Sequence, residues 1–144
     1  MKYHFKIHNE ENGYWAQCIE LEGCITEAND MKKLQHNMIE VLNLYLDESE
    51  NSEHIFALPR KMLKGKNVVK VAVHPKVAFA MTMRMLRIKK GLTQKDAAKL
   101  LGMKNLYSYQ RLESSKQVNP SLAMLERIKQ VFPELKVDEL LSEA

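Results

Sequence analysis

Apolar and polar side chains alternate over Tyr3-His4-Phe5-Lys6-Ile7, the period-two pattern of a half-buried strand. Residues 9–13 form a turn, since Asn12-Gly13 tolerates the positive φ angles of a tight hairpin, and residues 14–19 return as a second strand. A short connection over residues 20–23 leads to a third strand at 24–28. The period then changes. Asn29 or Asp30 caps a helix over residues 31–47, in which Met31, Leu34, Met38, Val41, Leu42 and Tyr45 recur at three- and four-residue spacing. That stripe is expected to cover the three-stranded meander as core, not to serve as a ligand site. Residues 48–54 are polar and acidic and read as a loop. An apolar segment follows at 55–58, stopped by Pro59, and then a basic stretch at 60–67 with Gly65 in a turn. The β-branched run 68–73 is the last strand of the sheet, ended at His74-Pro75 because proline donates no ladder hydrogen bond. The boundary falls there, dividing the chain into domains 1–75 and 76–144.

Beyond it the pattern is helical throughout. Residues 77–90 predict a helix with Phe79, Met83, Leu86 and Ile88 inward and Arg84, Arg87, Lys89 and Lys90 exposed. Thr93 is an N-cap, Ala97, Leu100 and Leu101 share an apolar face, and Gly102 supplies the left-handed end of that helix. Asn105 caps a second short helix with Leu106, Tyr109 and Leu112 inward. Two short helices across a glycine-containing turn are the signature of helix-turn-helix. After a loop at 114–118, Pro120 sits near the first turn of a fourth helix whose apolar face is Leu122, Leu125, Ile128, Val131 and Phe132. Pro133 stops it, and residues 137–141 close the domain with a short helix. The fold class is α+β: a βββαβ domain, then an all-α one.

Composition narrows the function classes. The 45% hydrophobic fraction of the 144 residues is that of a folded protein. The first six residues hold no apolar signal core, and no run approaches the ~20 apolar residues of a membrane span, so the expectation is a cytoplasmic protein without a membrane partner. Cys18 and Cys24, six apart with no histidine cluster, are too few for a zinc site and read as reduced thiols rather than a disulfide. The net charge of +4 conceals a partition: residues 1–59 hold 4 Lys/Arg against 11 Asp/Glu, residues 60–116 hold 15 against 2, and residues 117–144 hold 3 against 5. A basic block centred on a helix-turn-helix points to nucleic acid, and an acidic N-terminal stretch to a basic protein partner.

The motifs Leu92-Thr93-Gln94, Ala97-Ala98, Leu101-Gly102, Leu112-Glu113 and Asn119-Pro120-Ser121-Leu122 resemble the helix-turn-helix domain of the phage-repressor or Xre-like family. The turn from Gly102 to Asn105 is one residue longer than that family's commonest pattern. A helix-turn-helix lays its second helix in the major groove, which makes Lys104, Asn105, Tyr107, Ser108 and Arg111 the outward candidates. Arg111 suits a guanine edge, since its fork matches the O6 and N7 acceptors. Gln94 matches a family position that contacts backbone phosphate, and Lys116 is a second phosphate candidate. A homodimer or higher homo-oligomer on a palindromic operator follows from the short half-site.

The N-terminal strand order, with Gly13-Tyr14-Trp15-Ala16, Leu21-Glu22-Gly23-Cys24-Ile25-Thr26 and Ala28-Asn29-Asp30, resembles the HicB antitoxins, with Glu22 where that family usually has proline. The resemblance implies a partial RNase H-like domain that occludes a small basic ribonuclease toxin. It also implies an attached domain that represses the pair's operon. Tyr14, Glu20, Glu22 and Glu27 are the candidate toxin contacts. Nuclease chemistry needs carboxylates converging on metal ions, one normally on the first strand, and the strand at residues 3–7 carries none; nor is there a phosphate loop or a nucleophile paired with any of the five histidines. The expectation is no enzyme, no cofactor and no metal. The competing reading is a transcriptional regulator whose N-terminal domain senses a small ligand.

Overall fold

The structure, a computed structural model, describes residues 1–48 and 52–141. Of the acidic loop expected at 48–54, residues 49–51 lie outside the described residues. The chain divides into two compact units, one formed by Met1–Leu46 and Phe56–His74, the other by Asp47–Ile55 and Pro75–Leu141.

The first unit contains β1 (Lys2–Glu10), β2 (Gly13–Cys18), β3 (Ile25–Ala28), α1 (Met31–Leu46) and β4 (Val68–Ala72). The strands form one sheet in the order β3-β2-β1-β4, with every neighbouring pair antiparallel. The register sets Phe5 between Cys18 and Val69, and α1 covers this layer with Leu34, Met38, Leu42 and Leu46, all buried. The buried row runs at four-residue intervals; Met31, Val41 and Tyr45 flank it, half-buried.

Three expectations shift. First, β1 runs to Glu10, so the two-residue loop is Glu11-Asn12 and Gly13 opens β2. Glycine is required there because a Cβ would stand 2.7 Å from the Ala28 carbonyl oxygen, at a φ of +154°. A carboxylate therefore does stand on the first strand, at its far end. Second, alternation fails at His4, which is buried between buried Tyr3 and Phe5 because Glu20 covers it from the other face. Third, β3 begins at Ile25 rather than at Cys24, although the Cys18 N–H still donates to the Cys24 carbonyl at 2.9 Å; both thiols are free and buried, as expected.

The second unit holds α2 (Pro75–Lys89), α3 (Gln94–Leu100), α4 (Leu106–Gln110) running into a 3₁₀ turn (Arg111–Glu113), α5 (Leu122–Val131) and α6 (Val137–Leu140). Ala97, Leu101, Tyr109, Leu112, Ile128, Phe132 and Leu135 are its buried centre. Leu100, Leu106 and Leu122, expected inward, are 56, 42 and 86% exposed. Leu100 lies about 100° round α3 from the side that Ala97, Ala98 and Leu101 turn to the core. Leu106 and Leu122 are the first residues of their helices, before either reaches it. Pro120 precedes the N-cap Ser121, whose side chain accepts from the Met124 N–H, so it stands outside α5. Among the described residues no helix is long and apolar enough to cross a membrane.

Candidate nucleic-acid interface

The α3–turn–α4 segment is built from local hydrogen bonds that its residue types dictate. Thr93 accepts from the Asp96 N–H at 3.0 Å while the Asp96 carboxylate accepts from the Thr93 N–H at 3.1 Å, a reciprocal capping box. The Thr93 backbone N–H holds the Asp96 carboxyl below the usual carboxylate range. At the other end Gly102 takes φ +67°, and the Gly102 and Met103 N–H groups return to the Lys99 and Ala98 carbonyls at 3.0 and 2.9 Å. These are the two bonds of a Schellman cap. Asn105 then caps α4, its side-chain oxygen accepting from the Ser108 N–H at 2.8 Å and the Ser108 hydroxyl at 3.0 Å.

The orientation of α4 is set from outside the segment. Glu113, at the end of its 3₁₀ turn, is fully buried and accepts from Arg87 Nε at 2.7 Å and Nη2 at 3.1 Å. Arg84 Nε lies 3.8 Å from the same carboxylate. The Arg84 and Arg87 side chains are 2 and 4% exposed, so the expectation that α2 displays them is corrected: they neutralise a carboxylate inside the unit. Tyr109 is buried beside them, and burial, with Glu113 adding to it, pushes its hydroxyl pKa up, so it stays neutral.

Gln94 is drawn into this network. Its side-chain amide donates to Glu113 at 3.3 Å and accepts from Gln110 at 3.2 Å, linking the start of α3 to the end of α4. It is half-buried, which makes it more a strut than the free phosphate contact its position suggested. Lys104, Asn105, Tyr107, Arg111 and Lys116 are exposed and Ser108 half-exposed. Asn105 and Ser108 are engaged in the cap, and the Tyr107 hydroxyl accepts from Gln117 at 3.3 Å. Lys104, Asn105, Ser108 and Arg111 line one groove of about 550 Å³ together with Arg127 of α5. Arg127 was missed because α5 carries no motif that marks a charged position.

The candidate protein-binding residues separate. Glu22 and Glu27 are exposed, and Tyr14 and Glu27 line an open groove of about 1040 Å³ along β3 with Glu10 and Glu11. The Glu20 side chain points inward and is 1% exposed, its carboxylate bonded to His4 and to the Arg60 N–H, so it faces no partner. Among the described residues no three His, Cys, Asp or Glu side chains gather into a metal-binding group.

Grouping charge by unit also redraws the map. The first unit, residues 1–46 and 56–74, holds nine Lys/Arg against seven Asp/Glu; residues 47–55 with 75–141 hold thirteen against ten. The basic run at 60–70 belongs to the sheet unit, so neither unit carries a strong net charge, and the field at each surface is set by the local placement of charge.

A family model described as helix-turn-helix matches residues 83–140, which span α3, the turn and α4. No curated protein matches the chain. The chain thus contains a helix-turn-helix domain, the kind found in DNA-binding transcription regulators.

Proposed function

We propose that this chain represses transcription by laying α4 in the major groove of operator DNA, as a homodimer or higher homo-oligomer on a palindrome. The observation that carries the proposal is the exposure of Tyr107 on α4, of Lys104 in the turn before it, and of Arg111 and Lys116 after it, around a segment whose inner side is locked by Glu113. Arg111 reads a base and Lys116 a phosphate. Arg111→Ala should cost ~1–3 kcal/mol on the operator and relax base preference there. Fluorescence anisotropy on the DNA upstream of the coding sequence, against a scrambled duplex, checks it; an equal loss on both would remove Arg111 from base reading.

The finer reading is an antitoxin whose first unit, a partial RNase H-like domain, occludes a small basic ribonuclease toxin. It is supported by the βββαβ order, by the exposed carboxylate of Glu22, and by Glu10, Glu11 and Glu27 lining the open β3 groove. The chain acts here by binding alone, in the cytoplasm, without cofactor or catalysis. Inducing the product of the adjacent gene tests it. The full chain should restore growth, Glu22→Lys/Glu27→Lys should abolish rescue and keep operator binding, and Arg111→Ala should do the reverse. A harmless neighbour would sink the antitoxin reading and leave the repressor.

A further inference from the structure

The groove beside α4 is lined by cations and by no carboxylate. Its walls are the turn between α3 and α4, the adjacent side of α4, and α5. Three cations line it, Lys104, Arg111 and Arg127, and no carboxylate does. The larger groove on the sheet unit, by contrast, is lined by Glu10, Glu11 and Glu27 with Lys33 as its one cation. A concave site with three positive groups and no negative one concentrates an anion, because low-dielectric walls focus the field.

Arg127 is held but not used up. Its Nη1 donates to the Leu101 carbonyl at 3.4 Å and stands 4.0 Å from where a Gly102 side chain would begin, so the guanidinium lies over the α3 cap. A guanidinium has five N–H donors, and among the described residues that one bond is all that engages them. Lys104, in the turn, lines the same groove, and Asn105 and Ser108, both lining it, are tied into the α4 cap. A guanidinium fork and an ammonium, both exposed and lining one concavity, suit a tetrahedral oxyanion.

We propose that this groove takes a phosphate, and specifically one phosphodiester of the DNA backbone next to the bases that α4 meets, with Arg127 as its anchor and Lys104 as its second cation. The assignment rests on the DNA-binding reading and adds to it a contact from α5. It makes part of the affinity independent of sequence.

The test measures the salt dependence of binding to a labelled mixed-sequence duplex by anisotropy, with the full-length chain, Arg127→Gln and Arg127→Lys. Each phosphate neutralised contributes about 0.9 to the slope of log K against log salt. Arg127→Gln should lower the slope by about that amount, so that its deficit against wild type shrinks about 3.5-fold between 50 and 200 mM salt. The deficit should be the same on operator and scrambled DNA, and Arg127→Lys should keep the wild-type slope. A merely structural Arg127 would change affinity without changing slope, and an unchanged slope in Arg127→Gln overturns the assignment while leaving DNA binding intact. A wild-type chain that binds no duplex overturns both. A final arm titrates inorganic phosphate at constant ionic strength. Displacement of DNA by millimolar phosphate from wild type but not from Arg127→Gln would assign the groove to a free anion and overturn the backbone assignment; no displacement supports it.

Discussion

Among the described residues each unit buries one glutamate side chain, and the two are satisfied by different kinds of partner. Glu20, in the sheet unit, accepts from the His4 ring Nδ1 at 2.8 Å and from two backbone N–H groups, His4 at 2.9 Å and Arg60 at 3.1 Å. Glu113, in the helical unit, accepts from two nitrogens of Arg87 and from Gln94, with Arg84 close by. Backbone donors are neutral and remain in place whatever the side chains do. Guanidinium groups stay charged at any pH a protein survives, so Glu113 cannot be removed without stranding buried positive charge. The carboxylate of the sheet unit can be lost without stranding a guanidinium; the helical unit has made the orientation of α4 depend on its carboxylate.

The largest effect expected from that difference is in Glu113→Ala. Breaking a buried ion pair from one side costs about 3–5 kcal/mol, and the loss should appear in urea unfolding and as faster amide exchange throughout α3 and α4. A loss no greater than that of an exposed pair would show that Arg84 and Arg87 find water or other acceptors, and the contrast would collapse.

Glu20→Gln comes next, at about 1–3 kcal/mol, the cost of leaving hydrogen-bonding groups imperfectly satisfied, followed through the fluorescence of Trp15, the single tryptophan. It also sharpens the comparison through pH. Burial alone would raise the Glu20 carboxyl, but the bonds from the His4 ring, the His4 backbone and the Arg60 backbone outweigh it and hold the pKa below its ordinary value. A depressed folded pKa contributes stability that is complete above the unfolded glutamate range, near ~4.3, and is lost as pH falls through the folded value. The acid limb of the wild-type unfolding curve should therefore be steeper than that of Glu20→Gln; parallel limbs would place the acid sensitivity elsewhere.

The smallest effect expected is at the cap. Asn105→Ala removes the acceptor for the Ser108 N–H and should cost about 1 kcal/mol. It should leave Arg87–Glu113 in place, so operator affinity should drop by less than in Glu113→Ala. An equal or greater drop would mean that local capping, not the buried pair, orients α4.

Much of this architecture was legible along the chain, and the legible part is local. Thr93, Gly102 and Asn105 mark helix ends because their partners lie within a few residues: Asp96, Lys99 and Ala98, and Ser108. The βββαβ order and the helix-turn-helix follow from periodicity for the same reason. Alternation misled at His4, and helical spacing at Leu100, Leu106 and Leu122, because a period says which residues share a side and not where the core ends.

What the sequence determined by itself was the set of elements, their caps and the turn that separates α3 from α4. Only the tertiary structure decided which charges are surface. Arg84 and Arg87 looked like exposed members of a basic block until Glu113, 29 and 26 residues on, brought them inside. Glu20 looked partner-facing until His4, 16 residues earlier, turned it inward. Arg127 met the end of α3 only when the chain folded back and brought its guanidinium to the Leu101 carbonyl, 26 residues earlier. A charge is buried or displayed according to whether an opposite group is close enough to offset its desolvation, and that group stands next to it in space rather than in the chain.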